Sequence, residues 1–335
     1  MEKELILEVK NLHTSFKTGK GEINIVKDVS FNLHRGETLA VVGESGCGKS
    51  VTVHSIMQLL PANGYIKGGE VNYYDGKGKE TISAHKKNGK AMRSIRGAKI
   101  GMVFQDPMSS LNPVYTVGSQ IIESLRQHRK LSKAEAMKMA LEMLKKLGIP
   151  DPEKRINDYP HQFSGGMKQR VVIAIAMICN PDIIIADEPT TALDVTIQAQ
   201  IMELMKSLQV NDNKSIILIT HNMGLVAEMA DQVAVMYMGR VVEYGKINDI
   251  FENPSHPYTS ALLKSVPVLG MDKSQELVTI PGSTPSPVGL KPGCEFADRC
   301  PHAKEECRGK DIPNFEITPG HHVRCILFND HQEVR

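Results

Sequence analysis

The densest chemistry in this sequence lies in Gly43-Glu44-Ser45-Gly46-Cys47-Gly48-Lys49-Ser50, which fits GxxxxGK[ST] at each fixed position. Its glycines let successive backbone N–H groups turn inward onto an anion, and a helix starting there adds its dipole. That arrangement suits phosphate oxygens. Lys49 would reach the outer phosphates of a nucleoside triphosphate and the Ser50 hydroxyl would ligate Mg²⁺. Val51 opens the helix expected over 51–60. A glycine-rich turn with an incidental lysine is the plainer alternative, and the strand–loop–helix setting argues against it. A second element is Ile183-Ile184-Ile185-Ala186 feeding Asp187 and Glu188. Apolar residues ahead of two acids describe a buried strand that delivers carboxylates at its C-terminal end, where open α/β sheets bind ligands. Asp187 suits Mg²⁺, and Glu188 suits a general base that polarises an attacking water. An acidic strand end that only caps the next helix is the competing reading.

A third cluster is made of thiols. Cys294, Cys300, Cys307 and Cys325 lie within the last 42 residues, in a segment rich in proline. In a chain without a secretory signal, four such cysteines favour a metal site over disulfides. Four thiolates suit Zn²⁺ or an iron–sulfur cluster, and the absence of tight CxxC pairs counts against a zinc ribbon. An unmetallated or disulfide-bonded tail stays open. His302, His321 and His322 are nearby substitute ligands or exposed loop residues. Cys47 and Cys179 read as small packing residues.

These groups need a frame. Short apolar strands at 38–42, 100–104, 183–186 and 216–220 alternate with helical periodicity at 133–147, 171–178 and 198–208, which predicts a mainly parallel sheet covered on both faces. Segments 5–9 and 23–33 around Gly19-Lys20-Gly21 predict an antiparallel edge. After about residue 250 the rhythm gives way to a loop-rich appendage marked by Pro254, Pro257, Pro267, Pro281, Pro285, Pro287 and Pro292. With 335 residues the chain has room for two domains. Lys+Arg 40 against Asp+Glu 38, with no Trp and 5% aromatics, gives no basic field or stacking surface for nucleic acid. The N-terminus lacks a signal-peptide pattern. The longest apolar run, Val171–Cys179, is about half of what a bilayer span needs. A cytoplasmic protein that reaches a membrane only through embedded partners is expected.

Between the two nucleotide elements lies Phe163-Ser164-Gly165-Gly166-Met167-Lys168-Gln169-Arg170. This resembles the signature motif of ATP-binding-cassette (ABC) ATPases. Gln105 after a strand, Ala192-Leu193-Asp194 and His221 match that family's Q-loop, D-loop and switch histidine in order and spacing over about residues 5–250. The resemblance implies a P-loop NTPase cassette with a RecA-like core, an antiparallel β edge and a helical subdomain at about 106–165. It implies two cassettes paired head to tail, each ATP held between one P-loop and the partner's Ser164, Gly165 and Gly166. It places Gln105 with Ser50 and Asp187 near Mg²⁺, His221 at the γ-phosphate and Asp194 at the nucleotide interface. Phe16 stands where the family has an adenine-stacking aromatic, or is a core residue of the edge sheet. Phe163 and Met167 depart from the more usual Leu and Gln, while the Ser-Gly-Gly core is intact.

Gln105-Asp106-Pro107-Met108-Ser109-Ser110-Leu111-Asn112-Pro113, His256-Pro257-Tyr258-Thr259 and the cysteine tail narrow the resemblance to ATPase subunits of dipeptide/oligopeptide importers, a group that includes nickel importers. It implies ATP hydrolysis coupled to import, two transmembrane permease subunits and a second, usually non-identical ATPase subunit. It also implies an extracellular binding protein, a place on the cytoplasmic membrane face and a [4Fe–4S] cluster on the four tail cysteines. Residues 251–335 would form the importer-type extension. A soluble ABC ATPase of DNA repair or translation is the alternative class. Only 138 residues separate Lys49 from Asp187, with no sustained heptads, and the chain carries a single cassette.

Overall fold

The structure is a computed structural model and describes residues 3–19, 21–191, 193–265 and 280–334. Pro267 and Ala192 lie outside the described residues. The chain divides into two compact units, one built mainly from 85–219, the other from 4–33, 38–84 and 220–335.

The second unit contains β1 (Leu5–Thr18), β2 (Gly21–His34), β3 (Thr38–Val42), β4 (Gly64–Tyr74) and β5 (Lys79–Thr81). Strands β2-β1-β4-β5 form the expected antiparallel edge, longer than the apolar pattern suggested. Every residue of β3 is buried, as a strand covered on both faces requires. It runs parallel to β9 (Gln232–Tyr237), with Val41 beside Ala234. The chain then turns back through β10 (Arg240–Lys246), antiparallel to β9.

The first unit carries β6 (Ile100–Val103), β7 (Ile183–Asp187) and β8 (Ser215–Ile219), parallel and wholly buried. Around them lie helices whose ends follow from their caps. Thr116 caps Val117–His128, and Ser132 with Glu135 closes a capping box on Lys133–Lys146, which ends before Gly148 at φ 68°.

Two expectations change. The helix read over 51–60 spans Lys49–Ile56: it starts on the loop lysine itself and stops before Gln58, whose φ is 48°. The tail is more than loops. Helices Ile247–Glu252 and Pro257–Lys264 follow β10, and β11 (Asn314–Thr318), β12 (His321–Val323) and β13 (Gln332–Val334) extend its sheet. Pro257 reads as a breaker but occupies the first turn of its helix, where a missing N–H removes no internal bond. Tyr258 and Phe296 of the tail share one core with Ala40, Val42, Val233, Val235 and Tyr237. That packing seats the appendage beside the strand that leads into the glycine loop.

Candidate functional site

In the second unit β3 delivers the loop at Gly43. Its glycines sit at φ 147° (Gly43), 80° (Gly46) and 103° (Gly48), where side chains are strained, and a Cβ on Gly43 would collide with the Met236 carbonyl. Lys49 is buried, and its Nζ donates to the carbonyl oxygens of Gly43 (2.8 Å) and Glu44 (3.0 Å), which folds the side chain back over the loop. Ser50 and Val51 follow in the first turn of the helix whose dipole points at the loop. Cys47 is a buried packing residue, and burial pushes its thiol pKa up. His221 is exposed and sits directly ahead of Asn222, whose side chain accepts from the N–H groups of Gly224 and Leu225 and so starts the next helix. Phe16 is half-buried against Gly64, where a Cβ would come within 2.8 Å of the ring.

In the first unit Glu188 follows β7 at φ 46°, an uncommon conformation for a residue with a side chain. It is held from several sides. Its N–H donates to the Ile219 carbonyl at 3.0 Å, while Gln105 Nε2 and Thr191 Oγ1 each donate to Oε2 at 2.9 Å. Asp187 is buried beside it at the strand end. Ser164 caps helix Gly165–Met177, its hydroxyl accepting from Met167 N–H at 3.3 Å, and Gly165 is exposed at that N-terminus. Gly166 must be glycine for packing alone, since a Cβ would lie 2.6 Å from Ile197. Asp194 caps the Val195–Asn211 helix through Ile197 N–H at 3.0 Å. Met167 contributes its backbone N–H to the cap, so its departure from Gln leaves that function intact. The first unit thus gathers Gln105, Asp187, Glu188, the signature and Asp194. The second gathers Phe16, the glycine loop, His221 and the cysteines.

The four tail cysteines line one small cavity, together with His256, His302 and Ala297. Burial pushes the thiols of Cys294 and Cys325 up to about 11 and raises that of Cys300, so each gives up a proton only to a strong Lewis acid. His256 is fully buried, and burial drives its imidazole pKa down to about 3, so the ring is neutral. Its Nδ1 accepts from Tyr258 N–H at 3.0 Å, which leaves the proton on Nε2, and Nε2 has no partner among the described residues. An orphaned donor in a thiol-lined cavity fits an occupant rich in acceptors. Among the described residues, however, no three His, Cys, Asp or Glu side chains are arranged to hold a metal ion, so the expected cluster is not shown. His321 is no substitute ligand: its Nε2 pairs with buried Glu243 at 2.8 Å.

Sequence reasoning missed Arg299, Tyr258 and Thr284, all of which reach Glu44. Arg299 donates to both Glu44 carboxylate oxygens at 2.6 and 2.9 Å, Thr284 Oγ1 donates to Oε2 at 3.2 Å, and Glu44 N–H donates to Tyr258 Oη at 2.8 Å. The partners lie more than two hundred residues apart in the chain, so no local spacing announces them.

Comparison with known proteins settles the family. A family model described as ABC transporter matches residues 26–191, and one described as oligopeptide/dipeptide transporter, C-terminal region, matches 242–307. The chain is 51% identical to the oligopeptide transport ATP-binding protein OppD of Bacillus subtilis (strain 168), over 97% of this chain and 89% of that one. It belongs to the ABC transporter ATPase family. This cassette is also 52% identical to the dipeptide transport ATP-binding protein DppD of the same strain, over 98% and 97% of the two chains. Among solved structures it resembles a dimeric ATP-binding cassette in a post-hydrolysis state bound to ADP and Pi. The TM-score is 0.63 and the identity 32%, over 72% of this cassette and 99% of that chain. The P-loop fold with mixed α/β sheets is thereby shown, and ATP with Mg²⁺ are the ligands expected of the family. No helix among the described residues is long and apolar enough to cross a membrane.

Proposed function

We propose that this cassette is the ATP-binding and ATP-hydrolysing subunit of a dipeptide/oligopeptide importer, working in a head-to-tail pair. One observation carries the reading: the chain presents two helix N-termini built for phosphate, the P-loop at Lys49–Ile56 and the exposed signature at Gly165–Met177, one in each compact unit. The second is an anion site for a phosphate that another cassette's P-loop holds. The close likeness to OppD and DppD, extending through the C-terminal region, supports peptide as cargo.

In this cycle Lys49 and the loop N–H groups bind the triphosphate, with Phe16 against the base. Ser50, Asp187 and Gln105 are the groups assigned to Mg²⁺, which when bound neutralises charge on the phosphates. Glu188 accepts the proton of the water that attacks the γ-phosphorus, and the Gln105 and Thr191 hydrogen bonds hold the accepting carboxylate in place. His221 contacts the γ-phosphate, and the partner's Ser164, Gly165 and Gly166 stabilise its developing charge. Asp194 fixes the helix start next to the signature. The chain acts at the cytoplasmic membrane face through two permease subunits, with a paralogous cassette or a second copy as its pair and a binding protein outside. Met108, Val114 and Tyr115, exposed at 63%, 70% and 57%, offer the permease an apolar contact in the helical region. Cys294, Cys300, Cys307 and Cys325 would hold a [4Fe–4S] cluster. Such a group would tie down a tail with little core of its own.

The test is uptake of labelled di- and oligopeptides, with nickel as comparison, by the assembled transporter in vesicles. ATP-dependent peptide uptake that disappears with Glu188→Gln supports the proposal. Nickel uptake alone would replace the cargo, and ATPase activity without any permease partner would replace the role.

A further inference from the structure

Glu44 is an odd residue for an anion site. It places a carboxylate in the loop that must receive a polyphosphate, and the structure shows what makes it tolerable. The Arg299 guanidinium is almost fully buried and grips both carboxylate oxygens, the planar fork matching the carboxylate in charge and shape. Arg299 is itself fixed on all sides. Its Nε donates to the Pro281 carbonyl at 2.8 Å and its Nη1 to Tyr237 Oη at 3.2 Å, and the guanidinium lies 5.8 Å from the ring centres of Tyr237 and Phe296. Thr284 and Tyr258 hold Glu44 at its side chain and its backbone.

We propose that Arg299 is a positioning residue for nucleotide: by neutralising and retracting Glu44 it keeps the P-loop receptive to phosphate, and it does so from the segment that links Cys294 to Cys300. This deepens the nucleotide-binding reading and rests on it. Without Arg299 the Glu44 charge stands beside the loop uncompensated. Lys49 also acts on that carboxylate, helping to hold its pKa below the usual range after the larger effects of Arg299 and Thr284. Glu44 then repels the triphosphate and competes with it for Lys49. One charge within several ångströms of a polyphosphate, in a partly exposed site, alters affinity by roughly tenfold. Because Arg299 lies in sequence between two cysteines of the tail cavity, anything that orders that segment also orders the clamp on Glu44, and bound nucleotide stabilises the segment in return.

The test measures ATP·Mg²⁺ affinity by calorimetry on the full chain and on three variants. Arg299→Gln is expected to bind about tenfold more weakly, with the loss shrinking as salt is raised. The Arg299→Gln/Glu44→Gln double variant is expected to recover to the level of Glu44→Gln alone, which serves as its reference. That charge-specific rescue is what a purely structural Arg299 would not give. Unchanged affinity in Arg299→Gln, or a double variant as weak as the single, overturns the proposal. Should Arg299→Gln fail to fold, Arg299→Lys keeps the charge without the fork. It should lose about threefold, again rescued by Glu44→Gln, and a loss that persists in that pair overturns the proposal equally. Lys49→Ala is the control for the reading beneath: if it binds ATP as wild type does, the nucleotide site itself is misassigned and the clamp falls with it.

Discussion

The glycine loop and the cysteine tail both belong to the second unit, yet they reach for ligands by opposite means. The loop works through its backbone. Positive φ at Gly43, Gly46 and Gly48 aims N–H groups, a helix start supplies the dipole, and one buried lysine completes the set. The tail works through side chains: four thiols, of which Cys294, Cys300 and Cys325 are made reluctant to ionise by burial, and one imidazole that burial keeps neutral. A backbone site is pre-formed by conformation alone. A thiol site is completed by what it binds, because the ligand must first displace protons. The two meet at Glu44, where the tail's Arg299 corrects the loop's single unfavourable charge.

The largest expected effect bears on where chemistry, as distinct from binding, resides. Glu188→Gln keeps the Gln105 and Thr191 neighbours but removes the proton acceptor, so steady-state turnover should fall by about 10²–10⁴ while ATP affinity stays near wild type. Phosphate release assays beside equilibrium binding separate the two quantities. Wild-type turnover would move the base elsewhere. Next is Lys49→Ala, which leaves the loop backbone in place and withdraws its only buried cation. Affinity should drop by about tenfold to a hundredfold in the same calorimetry. A smaller loss would mean that the backbone site needs no side chain, which sharpens the contrast with the tail.

Cys294→Ser should abolish any bound iron and lower the stability of the second unit, read as an earlier melting transition, if four thiolates hold a cluster. Iron analysis and visible absorbance of anaerobically purified protein are the direct check. Stoichiometric zinc without iron would replace the cluster, and neither metal would make the cavity a packing feature, with melting nearly unchanged.

The unequal legibility of these regions has a physical origin. Strand β3 and the loop after it were readable because their pattern is local: five buried residues, then glycines at fixed spacing. Strands β7 and β8 were readable for the same reason, as apolar runs of strand length. The helix at 49–56 was misplaced by two residues at its start because Gly48, in the left-handed region, lets it begin inside the motif. The tail showed its cysteines and prolines but not its architecture. Pairing of β12 with β10 and the shared core of Tyr258, Phe296 and Tyr237 depend on contacts between distant segments, for which spacing carries no signal. Arg299 is the sharpest instance. As one basic residue among forty it is anonymous until the fold brings it to Glu44.

The smallest effect concerns the signature, the second phosphate-competent terminus, and asks whether it behaves like the P-loop or only resembles it. Ser164 has two jobs that can be pulled apart. Its hydroxyl caps the helix through Met167 N–H, so Ser164→Ala should destabilise the first unit by about 1 kcal/mol whatever the cassette does. Ser164→Asp retains a capping acceptor but adds a negative charge where a partner's γ-phosphate would arrive. If the signature faces only solvent, Asp should match or exceed wild-type stability and leave turnover alone. If it closes onto another cassette's nucleotide, Asp should keep the stability, leave ATP binding to its own P-loop intact, and depress the turnover of the assembled pair severalfold more than Ala does. Thermal melts of the single chain and ATPase rates of the pair therefore distinguish a capped helix from a shared active site, since a negative charge at that position suits the helix N-terminus in folding but opposes an arriving phosphate.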